Sequence, residues 1–88
     1  MHEVVIYTTA ACGYCQRAKA WLAARGVSFR EVDVSGDAGA RARLIDRSGG
    51  QRTVPQIFVG DVHVGGYSDL VALDAAGGFT PLLRAPAG

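Results

Sequence analysis

The sequence predicts one α/β domain: a four-stranded mixed sheet flanked by three helices, in the order β-α-β-α-β-β-α. Three observations point there. Short β-branched runs alternate with helical stretches, the pattern of a sheet built through crossover connections. Two neighbouring apolar runs are separated only by Gly60-Asp61, a tight-hairpin signal. The length, 88 residues, suffices for one hydrophobic core and no second.

Each element has its own signal. Val4-Val5-Ile6-Tyr7-Thr8 is a β-branched and aromatic run, read as a buried strand. From Gly13 to Arg25 the spacing predicts a helix with Ala18, Trp21 and Leu22 on one face, stopped by Gly26. Val27, Phe29, Val32 and Val34 predict a second strand over 27–34, joined to the first by a right-handed crossover. Ser35-Gly36-Asp37 breaks it and offers helix-capping chemistry. A second helix is expected over 38–48, apolar at Leu44 and Ile45, polar along Arg41, Arg43 and Arg47, and ended by Gly49-Gly50. Strands are expected over 56–59 and 62–64, then a third helix over 67–76. The whole of 1–88 reads as a single domain, with 79–88 a C-terminal tail containing Pro81 and Pro86. Phe79, Leu82 and Leu83 are expected to pack back on the core and the last residues to fray.

Composition excludes several function classes. At 49% hydrophobic and 19% charged, the chain reads as a folded globule rather than a disordered or solvating segment. Nine basic against eight acidic residues give a formal charge of +1, without the basic excess of a dedicated nucleic-acid binder. No run approaches the roughly 18 apolar residues of a membrane span, and Met1-His2-Glu3-Val4 shows no signal-peptide pattern. Two cysteines are too few for a secreted disulfide framework. A reducing cytoplasm is the expected compartment and a monomer the expected state, with no nucleic-acid and no membrane partner.

The chemistry lies in Cys12-Gly13-Tyr14-Cys15, where the first strand hands over to the first helix. Residues three apart on a helix are close enough for a disulfide. Cys12 sits at the helix N-terminus, where unpaired N–H groups and the helix dipole favour a thiolate. Cys15, one turn in, is expected to be more buried, so Cys12 should attack and Cys15 resolve. A purely structural staple would add only about 2 kcal/mol across so short a loop. A structural zinc site needs four ligands, and only His2 and His63 remain, wrongly spaced. Redox chemistry is favoured, because C-x-x-C at this place in a β-α-β unit is the thioredoxin-like signal.

Further motifs extend the pattern: Val4-Val5-Ile6-Tyr7-Thr8, Gln16-Arg17-Ala18-Lys19, Arg47-Ser48-Gly49, Thr53-Val54-Pro55-Gln56-Ile57-Phe58, Val64-Gly65-Gly66-Tyr67-Ser68-Asp69 and Leu73-Asp74-Ala75. With them the chain resembles the glutaredoxin family over essentially its whole length, in the small bacterial dithiol form of the glutaredoxin-3 type. On spacing alone Pro55 reads as a strand-leading proline. The resemblance implies instead a cis Val54–Pro55 bond, with the Val54 backbone free to pair with the cysteine portion of glutathione. Likewise Ser68 or Asp69 can be a plain helix cap. The resemblance implies that Gly66, Ser68 and Asp69 bind the γ-glutamyl end, its carboxylate at the helix N-terminus and its ammonium at Asp69. It further implies Thr53 in the binding loop, Tyr14 on the rim, Lys19 stabilising the thiolate, and Arg41 meeting the glycyl carboxylate. Otherwise Arg41 is a solvated helix residue. Trp21 reads as core packing.

Two departures stand out. Thr9 occupies a place where many members carry a lysine, and Gly13 replaces the commoner proline, which would fix φ and remove an N–H. A small residue there also occurs in members that hold a [2Fe-2S] cluster between two subunits. The expected activity is thiol–disulfide exchange on protein disulfides and glutathione mixed disulfides. No cofactor is expected to bind tightly. Glutathione is the reductant, recycled by an NADPH-dependent glutathione reductase, and disulfide-containing and glutathionylated proteins are the partners. Two alternatives stay open: a dimeric [2Fe-2S] carrier or sensor ligated by Cys12 and glutathione, with no other metal ligand in the chain, and a redoxin served by thioredoxin reductase.

Overall fold

In the computed structural model, residues 2–85 are described. The run Val4–Thr8 is buried at all five positions and forms β1, an interior strand of the sheet. After it come α1 (Gly13–Ala24), β2 (Arg30–Asp33), α2 (Ala38–Arg47), β3 (Gln56–Val59), β4 (Val62–Gly65), α3 (Tyr67–Ala75) and α4 (Phe79–Arg84). The sheet order is β2-β1-β3-β4. β1 is parallel to β2, with Tyr7 opposite Val32, and antiparallel to β3, with Ile6 opposite Ile57. β3 and β4 form the hairpin that Gly60-Asp61 announces, with Phe58 opposite His63. This is the four-stranded mixed sheet of the thioredoxin-like arrangement.

The pleat of β1 divides the core in two. Val4 and Ile6, with Ile57 and Val59 of β3, pack against Ala18 and Leu22 of α1, Leu70 of α3 and Phe79 of α4. Val5, Tyr7 and Phe58 point the other way, onto Ala40 and Leu44 of α2 and onto Val34. Helices therefore cover both faces, three on one side and α2 on the other. Asp37 caps α2 by accepting the Ala40 N–H at 2.9 Å.

Two expectations are corrected. The second strand covers only Arg30–Asp33, not 27–34. The apolar positions change parity between Phe29 and Val32, and the faces change with them. Val27 and Phe29 pack with the α1 side, whereas Val32 and Val34 belong to the α2 side. Val27 instead closes α1, donating its N–H to Leu22 O at 3.0 Å past Gly26 at φ +69°. Residues 79–84, expected as tail, form the fourth helix. Pro81 is compatible with it because it falls in the first turn, where its missing N–H would have had no helical acceptor. Phe79 is 2% exposed and meets Trp21 edge-on, with ring centroids 5.3 Å apart. Trp21 is thus core packing, as expected. Pro86 and the chain end lie outside the described residues. No helix among the described residues is long and apolar enough to cross a membrane.

Candidate active site

The end of β1 delivers the loop that carries Cys12. Ser35, following β2, holds that loop: its Oγ accepts the Ala10 N–H at 2.8 Å, and its own N–H donates to Asp33 Oδ1 at 2.8 Å. The Ser35 N–H, and after it the Ser35 hydroxyl, keep the Asp33 carboxyl below its ordinary value.

Cys12 is the N-cap residue of α1, in extended conformation, and its Sγ accepts the Cys15 N–H at 3.1 Å. A sulfur therefore does here what a serine or aspartate oxygen usually does, satisfying one orphan donor of the first turn. The Cys12 thiol also faces Val54 O at 3.7 Å. Cys12 is half-buried while Cys15 is fully buried. Burial pushes the Cys15 thiol up to about 11, helped by its hydrogen bond to Cys12. The two sulfurs thus differ in access, and the inner thiol resists ionisation, as expected of a resolver behind a nucleophile.

Opposite Cys12, the Val54–Pro55 bond is cis. Beside it lies a groove of about 420 Å³, whose lining includes Tyr14, Thr53, Val54, Pro55, Gly66, Ser68 and Asp69. Seven of the sequence-predicted binding residues are thereby brought together. Tyr14 is 57% exposed on the rim, 6.3 Å from the Tyr67 ring, with the Arg17 guanidinium 5.3 Å from its centroid. At the start of α3, Gly66 brings no side-chain cap, which leaves first-turn N–H groups without a capping acceptor. Asp69 reaches back, its Oδ2 accepting the Gly66 N–H at 2.9 Å. Gly65 is needed for this: its φ is +115°, and a Cβ there would fall 2.5 Å from Asp69 Oδ2.

Two predicted residues lie elsewhere. Arg41 is exposed on α2 and is not among the groove-lining residues. Lys19 places its ammonium 3.0 Å from Glu31 Oε2, the oxygen that also accepts the Thr8 hydroxyl at 2.6 Å. Its field is felt at Cys15, where it draws the thiol slightly downward against the larger effect of burial.

The groove also contains Gln51, Gln56, His63 and Tyr67, which the sequence does not assign to binding. A signal for two of them was present. Gln56 interrupts an apolar strand, and the Gly60-Asp61 hairpin puts His63 opposite Phe58, one diagonal step from Gln56. Among the described residues, no three His, Cys, Asp or Glu side chains gather as a metal site.

The glutaredoxin family model matches residues 4–64. Glutaredoxin 3 of Escherichia coli K12 is 54% identical over 84 residues, covering 96% of this chain and all of that protein. The solution structure of a glutaredoxin from Brucella melitensis is similar at a TM-score of 0.81 with 50% identity, covering 96% of this chain and 90% of that one. A buckwheat glutaredoxin–glutathione complex is similar at a TM-score of 0.82 with 28% identity, covering 93% of this chain and 76% of that one. Sequence and fold thus agree over nearly the full length, around a dithiol with one half-buried and one buried sulfur, and the chain belongs to the glutaredoxin family of thiol–disulfide oxidoreductases.

Proposed function

We propose that the chain is a glutathione-dependent oxidoreductase in which the Cys12 thiolate attacks and Cys15 resolves. The observation that carries this reading is the division of labour in the dithiol: a half-buried sulfur at a helix start and a buried thiol held near pKa 11 one turn behind it. On a glutathione mixed disulfide, Cys12 sulfur bonds to the glutathionyl sulfur and the protein leaves as thiolate, taking up a proton. A second glutathione thiolate then attacks the glutathionyl sulfur, forms glutathione disulfide and regenerates Cys12. On a protein disulfide, Cys12 is trapped as a mixed disulfide until Cys15 loses its proton and attacks the Cys12 sulfur, releasing the protein thiol. Two causes of the raised Cys15 value come from Cys12 itself, its hydrogen bond and its charge. Both vanish once Cys12 is spent in a mixed disulfide, so Cys15 becomes easier to ionise at the step that needs it. Two glutathiones reduce the resulting Cys12–Cys15 disulfide.

Glutathione would lie in the groove beside the cis-proline, its cysteine portion against the Val54 backbone. Its γ-glutamyl carboxylate would meet the first-turn amides at Ser68 and Asp69, and its ammonium the Asp69 carboxylate. The similar buckwheat protein forms a complex with glutathione, which supports glutathione as the ligand. Arg41, outside the groove, is left out of the contact set. Protein disulfides and glutathionylated proteins are the substrates, a reducing cytoplasm is the compartment, and a monomer suffices. A [2Fe-2S] cluster between two subunits would draw one ligand, Cys12, from each chain, because Cys15 is buried behind it. Dithiol exchange uses both sulfurs and is favoured for that reason.

A reductase-swap assay tests the reading. Turnover of a glutathionylated peptide should follow addition of glutathione, NADPH and glutathione reductase. Activity supported only by thioredoxin reductase would overturn it.

A further inference from the structure

Three polar side chains of the groove form a linked series that thiol chemistry does not use. Gln56 is 4% exposed within an otherwise apolar strand, so both ends of its amide need partners. Its Oε1 lies 2.6 Å from His63 Nε2, and its Nε2 donates to Thr53 Oγ1 at 3.2 Å. All three residues line the groove. The His63 ring is held in turn, stacked on Phe58 with centroids 4.8 Å apart, and Phe58 carries the Arg47 guanidinium 4.2 Å from its centroid.

Amide chemistry gives the series a direction. An amide oxygen only accepts, so the short contact requires the proton to be on His63 Nε2. With Oε1 committed to His63, the NH₂ group faces Thr53, and Thr53 Oγ1 accepts. A hydroxyl that accepts there keeps its single proton for another partner. Without the imidazole, the two orientations of the amide lose their distinction, and the reversed one takes the Thr53 proton for itself.

We propose that His63 is a positioning residue for thiol–disulfide exchange: acting through Gln56, it fixes the Thr53 hydroxyl as a hydrogen-bond donor into the groove beside Val54-Pro55, toward a carbonyl or carboxylate oxygen of the bound glutathionyl group. This rests on the glutathione reading above and adds a contact that neither sulfur supplies.

The test measures turnover of a glutathionylated peptide by the full chain with glutathione, NADPH and glutathione reductase. His63→Phe keeps an aromatic ring on Phe58 and removes the nitrogen. KM should rise about two- to tenfold, the range of one neutral hydrogen bond, with kcat unchanged. Thr53→Val should raise KM by a similar factor. The double variant should be no worse than Thr53→Val alone, since both act through one hydroxyl, whereas two unrelated structural defects would add. A wild-type KM in either single variant, or additive effects in the double, overturns the proposal. Absence of turnover by the unsubstituted chain would instead bring down the glutathione reading, and this inference with it.

Discussion

The backbone N–H of Cys15 points at the sulfur of Cys12 across 3.1 Å, so the proposed resolver also holds the proposed nucleophile. The Cys15 thiol, pushed up to about 11 by burial, is by contrast almost wholly protonated near neutral pH. At about pH 8 the Cys15 thiolate is the minor form, and its fraction climbs as pH rises toward the raised value. Iodoacetamide at that pH should therefore add one carbamidomethyl group, on Cys12. Peptide mass spectrometry that found Cys15 labelled first would reverse the assignment.

The two cysteines should separate by activity. Cys12→Ser should abolish both reactions, because a serine hydroxyl is not ionised at neutral pH. Cys15→Ser should keep deglutathionylation and lose most direct reduction of protein disulfides, while a mixed disulfide through Cys12 accumulates. Both activities are measured on both variants, with mass spectrometry of the trapped adduct.

Asp69 has two jobs that one substitution can part. Its Oδ2 accepts the Gly66 N–H, and its charge is the expected partner of the γ-glutamyl ammonium. Asp69→Asn keeps an acceptor oxygen and loses the charge, so KM should rise roughly ten- to a hundredfold with little change in melting temperature. Asp69→Ala loses both and should cost about 1 kcal/mol of stability as well. Steady-state kinetics and thermal melts of the pair decide it; an unchanged KM in Asp69→Asn removes the charge from binding.

Thr8 and Lys19, in that order, hold the Glu31 carboxyl below its usual 4.5. A carboxyl lowered on folding stabilises the fold above its unfolded value and loses that contribution as pH falls through the lowered one. Thr8→Val should cost about 1 kcal/mol near neutral pH, modest because Glu31 is exposed, and the deficit should shrink in acid. Urea unfolding of both proteins at the two pH values checks the sign.

Phe79 should behave as core. Phe79→Ala should destabilise by about 3–5 kcal/mol, as for other buried phenylalanines. A loss under 1 kcal/mol by denaturant unfolding would return residues 79–84 to the status of a tail.

What the sequence disclosed was local. β1, the dithiol at a helix start and the Gly60-Asp61 hairpin each rest on a few adjacent residues whose propensities agree. Alternation over 27–34 predicts too long a strand around Arg30–Asp33, because it runs across a change of face between Phe29 and Val32. α4 was hidden because Pro81 reads as a breaker until its place in the first turn is known. The clustering of Thr53, Val54, Pro55, Gly66, Ser68 and Asp69 around one groove came from resemblance, since no spacing brings two loops and a helix start together. The pairing of Lys19 with Glu31, and the link from His63 through Gln56 to Thr53, depend on which strands are neighbours and in what register. Such contacts belong to the tertiary fold; of them only the step from His63 to Gln56 leaves a trace in the sequence, through the hairpin register.

β1 has a further consequence for how this molecule cycles. It is walled in by β2 and β3 and covered on both faces, so its amides belong to the unit that opens last, only with global unfolding. The dithiol hangs from the end of that strand on a short loop pinned by Ser35. Making and breaking a sulfur–sulfur bond there should be confined to the loop and the first turn of α1, leaving the slow-exchanging unit closed. Amide exchange along Val4–Thr8 should therefore stay equally slow in the oxidised and the reduced protein.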